Sequence, residues 1–233
     1  MERFGGPARG LGSKSTATDL VSDADRDAEA LIRDLLVQER PADGLLAEEG
    51  TSEPGESGRR WVFDPLDGTV SYLYGYPHWC VSVALEDADG PSLGVVYDPN
   101  RDELFAAERG AGATLAGQPI RIREAPALGE ALIATGFSYD PQRRARQAGV
   151  AAGLLPVVRD IRRAGSAALD LSWLAAGRLD AYYERGLHPW DWAAGSLLVG
   201  EAGGAVEELQ GEPYGLIAGP EPLVRALRPL VEA

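Results

Sequence analysis

Two aspartates that follow an apolar segment constrain this chain more than any other feature. The run is Asp64-Pro65-Leu66-Asp67-Gly68-Thr69, and it comes directly after Trp61-Val62-Phe63. Residues 61–63 predict a strand, and the Gly-Thr pair predicts the start of a helix. Carboxylates at a strand end can share a hard divalent cation, and the amides at a helix start can bind an anion. A surface turn rich in Asp, Pro and Gly is the alternative for an isolated run.

Two further segments make the run specific. Leu45-Leu46-Ala47-Glu48-Glu49-Gly50 lies upstream, and Trp190-Asp191-Trp192-Ala193-Ala194-Gly195 lies far downstream, followed by Glu201-Ala202-Gly203-Gly204. Together the segments resemble the inositol monophosphatase family of Mg²⁺-dependent, lithium-sensitive phosphatases. In that family a Glu, a D-P-[IL]-D-G-T run and a W-D-x-A-A-G run supply the metal ligands. The resemblance covers residues 14–204 in the expected order.

The carboxylates predict a site for hard cations. Asp64 is the natural bridging ligand, with Glu48 completing the shell of one ion and Asp67 plus Asp191 holding the next. Oxygen ligands suit Mg²⁺ or Mn²⁺ better than Zn²⁺. The resemblance implies the same roles, adds the backbone carbonyl of Leu66 as a ligand, and implies two or three Mg²⁺ ions with Glu48 at the third. A helix N-cap is the alternative role for Asp191.

The resemblance also implies which residues activate water and bind phosphate. Thr69 and Asp25 match the positions that orient the attacking water, and Glu48 is grouped with them as catalytic. The amides of Gly68 and Thr69 are expected to bind phosphate oxygens, with Leu66, Asp67 and Asp191 also next to the substrate. A helix N-cap is the competing role for Thr69.

Substrate recognition is expected from two later segments. Gly165-Ser166-Ala167 resembles the G-[ST]-A segment whose backbone lies against the substrate ring in the family, and Glu184 would accept hydrogen bonds from ring hydroxyls. A plain strand-to-helix turn is the alternative for residues 165–166. His78 and His188 are expected to have packing or hydrogen-bonding roles, because each lies in a segment that is already explained.

Lys14 is the only lysine among 22 lysine and arginine residues. It opens a segment similar to the family's K-S-x-x-D-L-V-T-x-x-D pattern. A compact ammonium near the carboxylates would reduce their mutual repulsion. An ordinary exposed residue is the alternative.

The pattern of apolar residues predicts an α/β fold. The first half should contain a helix and then strands that form an antiparallel sheet: a helix over 25–40, and strands over 45–47, 61–63, 80–85, 93–97 and 103–107. The second half should alternate: strands over 131–135, 155–158, 179–183 and 214–218, and helices over 141–149, 167–176, 190–202 and 221–230. The resemblance implies a layered αβαβα sandwich of the inositol monophosphatase and fructose-1,6-bisphosphatase type. We expect a single domain over 1–233, with possible sub-domains over 1–125 and 126–233.

Composition excludes several classes of partner. The formal net charge of −14 argues against a nucleic-acid surface and against an anionic membrane. One cysteine, Cys80, permits no internal disulfide, and it is expected to fill the core of a strand. The absence of a signal-peptide pattern and of a long apolar run predicts a soluble, cytoplasmic protein. The resemblance implies a homodimer.

These features predict a Mg²⁺-dependent phosphatase of a small sugar or polyol phosphate, with inositol 1-phosphate as the expected substrate. Histidinol phosphate, fructose 1,6-bisphosphate and a nucleotide 3′-phosphate are the rivals, and a non-catalytic, cation-binding dimer domain is the alternative from another class. Glu184 would repel a second phosphate and so favour a neutral ring, unless Arg143, Arg144 and Arg146 reach the pocket.

Overall fold

The described residues form two large β-sheets, which helices cover and separate, and one two-stranded ribbon near the N-terminus. This computed structural model describes residues 4, 10–13 and 20–232, so Lys14 lies outside the described residues. The strands of the first half are β1 (Gly12–Ser13), β2 (Leu20–Val21), β3 (Gly44–Ala47), β4 (Ser52–Glu53), β5 (Arg60–Asp67), β6 (Cys80–Asp87), β7 (Gly90–Asp98), β8 (Glu103–Glu108), β9 (Gly112–Leu115) and β10 (Gln118–Pro119). Those of the second half are β11 (Leu132–Thr135), β12 (Asp160–Arg162), β13 (Ala181–Arg185), β14 (Ala205–Glu208) and β15 (Gly215–Gly219).

Six α-helices are described, and they lie between and after the strands. They are α1 (Asp23–Glu39), α2 (Thr69–Leu73), α3 (Pro141–Leu154), α4 (Ala167–Ala175), α5 (Pro189–Glu201) and α6 (Glu221–Val231), with a short 3₁₀ helix at Leu128–Glu130. Ser22 caps α1, and its backbone N–H donates to Asp25, which completes a capping box.

The larger sheet has eight strands in the order β10-β9-β8-β7-β6-β5-β3-β4. Its strands are antiparallel, as predicted, except that β3 and β5 run parallel. In that parallel pair Ala47 lies opposite Phe63. The pairing of β3 with β5 ends there, and the next residues, Glu48 and Asp64, therefore stand side by side.

The smaller sheet has five strands in the order β12-β11-β13-β15-β14, and helices α4 and α5 pack between it and the larger sheet. Helix α1 packs on the outer side of the larger sheet, while α3 and α6 cover the outer side of the smaller one. The order of layers is helix, sheet, helices, sheet, helices, which confirms the αβαβα prediction.

The central helices approach the larger sheet closely. A Cβ atom at Gly94 on β7 would lie 2.9 Å from the backbone oxygen of Ala194 on α5, so only glycine lets this helix and strand meet. Cys80 is fully buried at the start of β6, as predicted. The largest core cluster combines residues from α4, α5 and the facing strands of both sheets.

One predicted strand is wrong. Residues 155–158 form a turn that follows α3, and the strand comes later as β12. Leu154 and Val158 are buried, whereas the side chains of Leu155 and Val157 are exposed. Val158 N donates to Leu154 O, so the apolar residues recur at the spacing of a helical turn rather than of a strand.

The sequence did not predict the short edge strands, and the bounds of other predicted elements differ from the structure by a few residues. The strand predicted over 179–183 is β13, and the helix predicted over 141–149 continues to Leu154. The chain leaves the larger sheet after Pro119 and enters the smaller one at Leu132. Within the described residues, no helix combines the length and apolarity that a membrane crossing requires.

Candidate active site

The ends of β3 and β5 and the first residues of α2, α4 and α5 meet around one cavity of about 250 Å³. Most predicted site residues line it. They are Glu48, Asp64, Asp67, Gly68, Thr69, Gly165, Ser166, Ala167, Glu184 and Asp191. Leu66 and Asp25 lie behind the wall, where both accept from the hydroxyl of Thr69.

A bulge in β5 places its two aspartates. Asp64 pairs with Ser82 and Asp67 with Cys80, so the register shifts between them. Pro65 has no N–H to give to the ladder, which explains the irregularity at this point. Asp64 Oδ1 accepts from the N–H of Leu66 at 2.8 Å, and this bond fixes the carboxylate.

Helix α4 holds the second aspartate. Asp67 Oδ2 accepts from the hydroxyl of Ser166 and from the N–H of Ala168, both at 2.8 Å. Ser166 is also the N-cap of α4 and is buried. Its side chain therefore supports Asp67 at the wall of the cavity.

Asp191 is the third residue of α5 and not its N-cap, so the N-cap alternative is wrong. His188 occupies the cap position, and its N–H donates to Asp191 Oδ2 at 2.7 Å. The carboxylate closes a capping box and faces the cavity at the same time.

Thr69 is the first residue of α2 and does not cap it, since Gly68 stands at the N-cap with a φ of 101°. A Cβ there would lie 3.0 Å from the carbonyl oxygen of His78, so the turn also requires the absence of a side chain. The Thr69 hydroxyl donates to Asp25 Oδ1 at 2.8 Å. Asp25 Oδ2 accepts from the N–H and hydroxyl of Ser22, so this buried carboxylate joins α1 to α2.

The carboxylates of the cavity repel one another. Burial, followed by the charges of Glu48, Asp67 and Asp191, raises the pKa of Asp64 well above its ordinary value. Burial and Asp191 raise the pKa of Asp67 in the same direction. Neither aspartate forms an ion pair with a described arginine. A divalent cation would relieve this repulsion, so the donor set fits a hard metal ion.

The donor atoms match a hard metal ion in their chemistry, but they do not form a closed coordination shell. Among the described residues, no three His, Cys, Asp or Glu side chains converge closely enough to hold an ion as they stand. Glu48 lies close enough to Asp64 for its charge to raise the pKa of that carboxyl. A bound ion would compensate both charges and draw the carboxylates together.

Sequence reasoning missed Glu29, which holds the loop after Glu48. Its carboxylate accepts from the N–H of Glu49 at 2.7 Å, and from the N–H and hydroxyl of Thr51 at 2.9 and 2.7 Å. The signal was present, because Glu29 follows Asp25 by four residues and both lie on the buried face of α1. Arg163 and Asp170, which also line the cavity, gave no comparable signal.

Replacing Glu29 by Gln should lower the free energy of unfolding by about 2 kcal/mol, because hydrogen bonds to a charged acceptor weaken and the amide turns an N–H toward a donor. Urea unfolding in EDTA measures this effect. Glu39→Gln, at the exposed end of α1, is the control and should change stability by less than about 0.5 kcal/mol. Equal effects in the two variants would contradict the role given to Glu29.

Glu184 comes to the cavity from β13 of the smaller sheet, whereas the aspartates of β5 come from the larger one. Tyr182 donates its hydroxyl proton to Glu184 Oε2 at 2.7 Å. Burial, more than the nearby charges, raises the pKa of Glu184 to about 7. Its folded-state pKa therefore lies above the ordinary value of 4.5, and the ionised form is the disfavoured one.

This shift predicts a pH-dependent stability difference. Below pH 4.5 Glu184 is protonated in both states, whereas between 4.5 and about 7 only the folded state holds the proton, so stability falls as pH rises. Glu184→Gln removes the ionisation. Because the side chain is partly exposed, we expect the variant to be more stable by about 2 kcal/mol at pH 8 and similar to wild type at pH 4.5. Urea unfolding in EDTA at both values tests this, and a difference that does not depend on pH would contradict it.

The two histidines hold supporting positions. His78 is buried, and its Nε2 lies 3.3 Å from Asp170 Oδ1 without the alignment of a hydrogen bond. The ring of His188 stacks on Trp190. The contact of His78 is polar and that of His188 is a packing contact.

The layered αβαβα fold brings carboxylates from strand and helix ends to one cavity, as in a protein that binds hard metal ions. Residues 2–233 match the model of the inositol monophosphatase family. The chain belongs to that family and is a phosphatase, a phosphoric monoester hydrolase.

Relatives with known sequences and structures support this membership. The "Inositol-1-monophosphatase" of Rhizobium meliloti is 43% identical over 222 residues, which cover 92% of this chain and 83% of that protein. The "Nus factor SuhB" of Xylella fastidiosa is 48% identical over 194 residues, which cover 83% of this chain and 70% of that protein. The crystal structure of extragenic suppressor protein suhB from Bartonella henselae superposes with a TM-score of 0.89 at 40% identity, and covers 95% of this chain and 88% of that one.

Proposed function

We propose that this phosphatase hydrolyses phosphate monoesters of small polyols, with inositol 1-phosphate among its substrates, by attack of a water held beside bound divalent cations. The observation that carries the proposal is the hydrogen bond from Thr69 to Asp25, at the edge of a cavity lined by carboxylates. A domain that only binds cations has no use for a hydroxyl aligned in this way. The name of the Rhizobium relative supports the choice of substrate.

The residues that would hold Mg²⁺, or Mn²⁺, are Glu48, Asp64, Asp67 and Asp191, with the backbone carbonyl of Leu66. Two or three ions are expected. When bound, such ions supply charge neutralisation for the phosphate and lower the pKa of a water molecule. Lys14 is proposed to balance the charge of this cluster.

Thr69 and Asp25 act on the attacking water. Because the Thr69 hydroxyl gives its own proton to Asp25, its oxygen presents lone pairs and can accept the proton that the water shares on attack. The buried carboxylate of Asp25 keeps this direction, since its other oxygen is held by Ser22. Glu48, which follows the neighbouring strand β3, is proposed to take part in activating this water.

The phosphate would be held by helix N-termini. Gly68 and Thr69 at α2, and residues 165–167 at α4, line the cavity with the positive ends of their helices. Glu184 would accept hydrogen bonds from substrate hydroxyls across the cavity. An ammonium group would also suit this carboxylate, so histidinol phosphate is the strongest rival substrate.

Hydrolysis should require a divalent cation, because every proposed ligand is an oxygen and no protein nucleophile is assigned. Phosphate release from inositol 1-phosphate should vanish in excess EDTA and return with Mg²⁺. Release that persists in EDTA would contradict the proposed chemistry. The same assay with histidinol phosphate, fructose 1,6-bisphosphate and adenosine 3′-phosphate ranks the substrates. A preference for histidinol phosphate that is lost in Glu184→Gln would replace inositol 1-phosphate and leave the chemistry in place.

A further inference from the structure

A cluster of aromatic side chains contacts the turn from Leu66 to Thr69, which joins β5 to α2. Leu66, Tyr72 and Trp79 are buried in this cluster, and Phe4 packs against them as a half-buried side chain. We call these four residues the Phe4 cluster. The ring centroid of Phe4 lies 5.7 Å from that of Tyr72 and 5.5 Å from that of Trp79. The rings of Tyr72 and Trp79 meet edge to face at 5.0 Å, so all three rings lie within the range in which aromatic side chains attract one another.

The Phe4 cluster supports this turn at three points. Leu66 places its side chain in the cluster, while its carbonyl oxygen, the proposed metal ligand, accepts from the Thr69 hydroxyl at 3.2 Å. Trp79 packs directly on Gly68, because a Cβ atom at Gly68 would lie 3.1 Å from the Cβ atom of Trp79. Tyr72 donates its backbone N–H to the carbonyl oxygen of Gly68 at 3.0 Å and closes the first turn of α2. The backbone of the turn therefore rests on the packing of these side chains.

Packing of the rings, rather than hydrogen bonding, holds Trp79 in place. Its indole N–H is buried and makes no hydrogen bond within the part of the chain that the structure describes. Helix α2 has five residues, and a helix of that length is not stable without contacts to the rest of the fold. Removal of one ring from the Phe4 cluster would leave an unfilled space beside Trp79 and Leu66, into which both side chains can shift.

The segment that carries Phe4 is tied to the fold at a second place. Arg26 on α1 donates to the carbonyl oxygen of Gly10 at 2.6 Å. Strand β1 pairs with β2 in the ribbon that leads into α1. The first turn of the same helix also contributes Ala24 to the packing around the Phe4 cluster. Phe4 therefore approaches the cluster from a segment that α1 anchors, and the cluster joins the start of α1 to the turn before α2.

We propose that Phe4 is a positioning residue of the active site. Its ring completes the Phe4 cluster and thereby holds the Leu66 carbonyl and the Thr69 hydroxyl in the places that metal binding and catalysis require. The inference rests on the proposed function for the roles of these two groups. Phe4 is not among the residues that line the cavity, so it acts through Trp79 and Leu66. A side chain far in sequence from the carboxylate motifs therefore affects the affinity of the site for a divalent cation.

Amide hydrogen exchange in EDTA tests the positioning without any metal. In Phe4→Ala, exchange over residues 66–74 should be at least about tenfold faster than in wild type, because the turn and α2 lose packing on which they rest. Val224→Ala is the control, since it removes buried apolar surface from α6 on the outer side of the smaller sheet. Its exchange over residues 66–74 should stay within about twofold of wild type. Unchanged exchange in Phe4→Ala, or equal acceleration in both variants, would overturn the proposal.

Metal affinity tests the consequence for the site. Calorimetric titration with Mn²⁺ should give a dissociation constant about tenfold higher for Phe4→Ala than for wild type, because groups that support a ligand affect affinity by this much. The constant for Val224→Ala should not change. Phe4→Leu keeps an apolar side chain in the cluster and should recover most of the lost affinity, and most of the lost kcat for inositol 1-phosphate.

Wild-type Mn²⁺ affinity in Phe4→Ala would overturn the positioning role. The two measurements also separate this inference from the proposed function. If wild type binds no Mn²⁺ and hydrolyses no ester, the proposed function fails, and the exchange measurement in EDTA still decides whether Phe4 holds the turn.

Discussion

Asp64→Asn should reduce kcat for inositol 1-phosphate by at least about a thousandfold while leaving the fold intact. The substitution removes a negative charge that is proposed to bridge two cations, and electrostatic stabilisation of this kind is among the largest contributions to catalysis. The volume of the side chain is unchanged. Its Oδ1 can still accept from the N–H of Leu66, so the bulge in β5 keeps the bond that fixes it.

The same variant should be more stable than wild type when no metal is present. Because burial and three carboxylates raise the pKa of Asp64, its ionised form destabilises the folded state above that pKa, and asparagine has no such form. Urea unfolding at pH 8 in EDTA measures this, alongside single-turnover phosphate release with Mg²⁺. Asp89→Asn, at an exposed turn, is the control and should change neither quantity. Near-normal activity in Asp64→Asn would show that Asp64 is not the bridge.

The layers and most elements of the fold could be predicted because their signals are local. Alternating and helical spacings identified the long strands of the larger sheet, and the ordered motifs implied the layered architecture. The strand predicted over 155–158 is wrong because an apolar run of four residues fits a helical turn as well as a strand. The short strands β4, β9 and β10 hold few apolar residues, and their pairing depends on neighbours that are distant in sequence.

Much of the cavity lining could be predicted from the sequence, but not how the residues are supported. The carboxylates could be identified from the sequence because they directly follow predicted strands or lie at the start of a predicted helix. The bond from Ser166 to Asp67 joins residues 99 positions apart, and only the packing of α4 on the larger sheet brings them together.

Thr69→Val should reduce kcat by about a hundredfold to a thousandfold, with a small effect on stability. Valine has the shape of threonine but cannot pass a proton, and positioned acid–base groups contribute rate factors of this size. The lost hydrogen bond is one of three that Asp25 accepts, so the buried carboxylate keeps its two bonds from Ser22. Thr114→Val is the matched control, because its hydroxyl bonds to a strand carbonyl of Ala106 that lies outside the cavity lining.

A double-mutant cycle decides whether Thr69 and Asp25 work as a unit. Asp25→Asn alone should also slow turnover, because an amide in place of the carboxylate no longer ensures that Thr69 donates toward it. If the two act together, Asp25→Asn should cost little further activity once Thr69 is valine, so the losses in the double variant fall well short of the product of the single ones. If the activity losses of the two single variants multiply in the double variant, Thr69 and Asp25 act independently. Thr69 would then contact the phosphate and would not accept the proton of the attacking water.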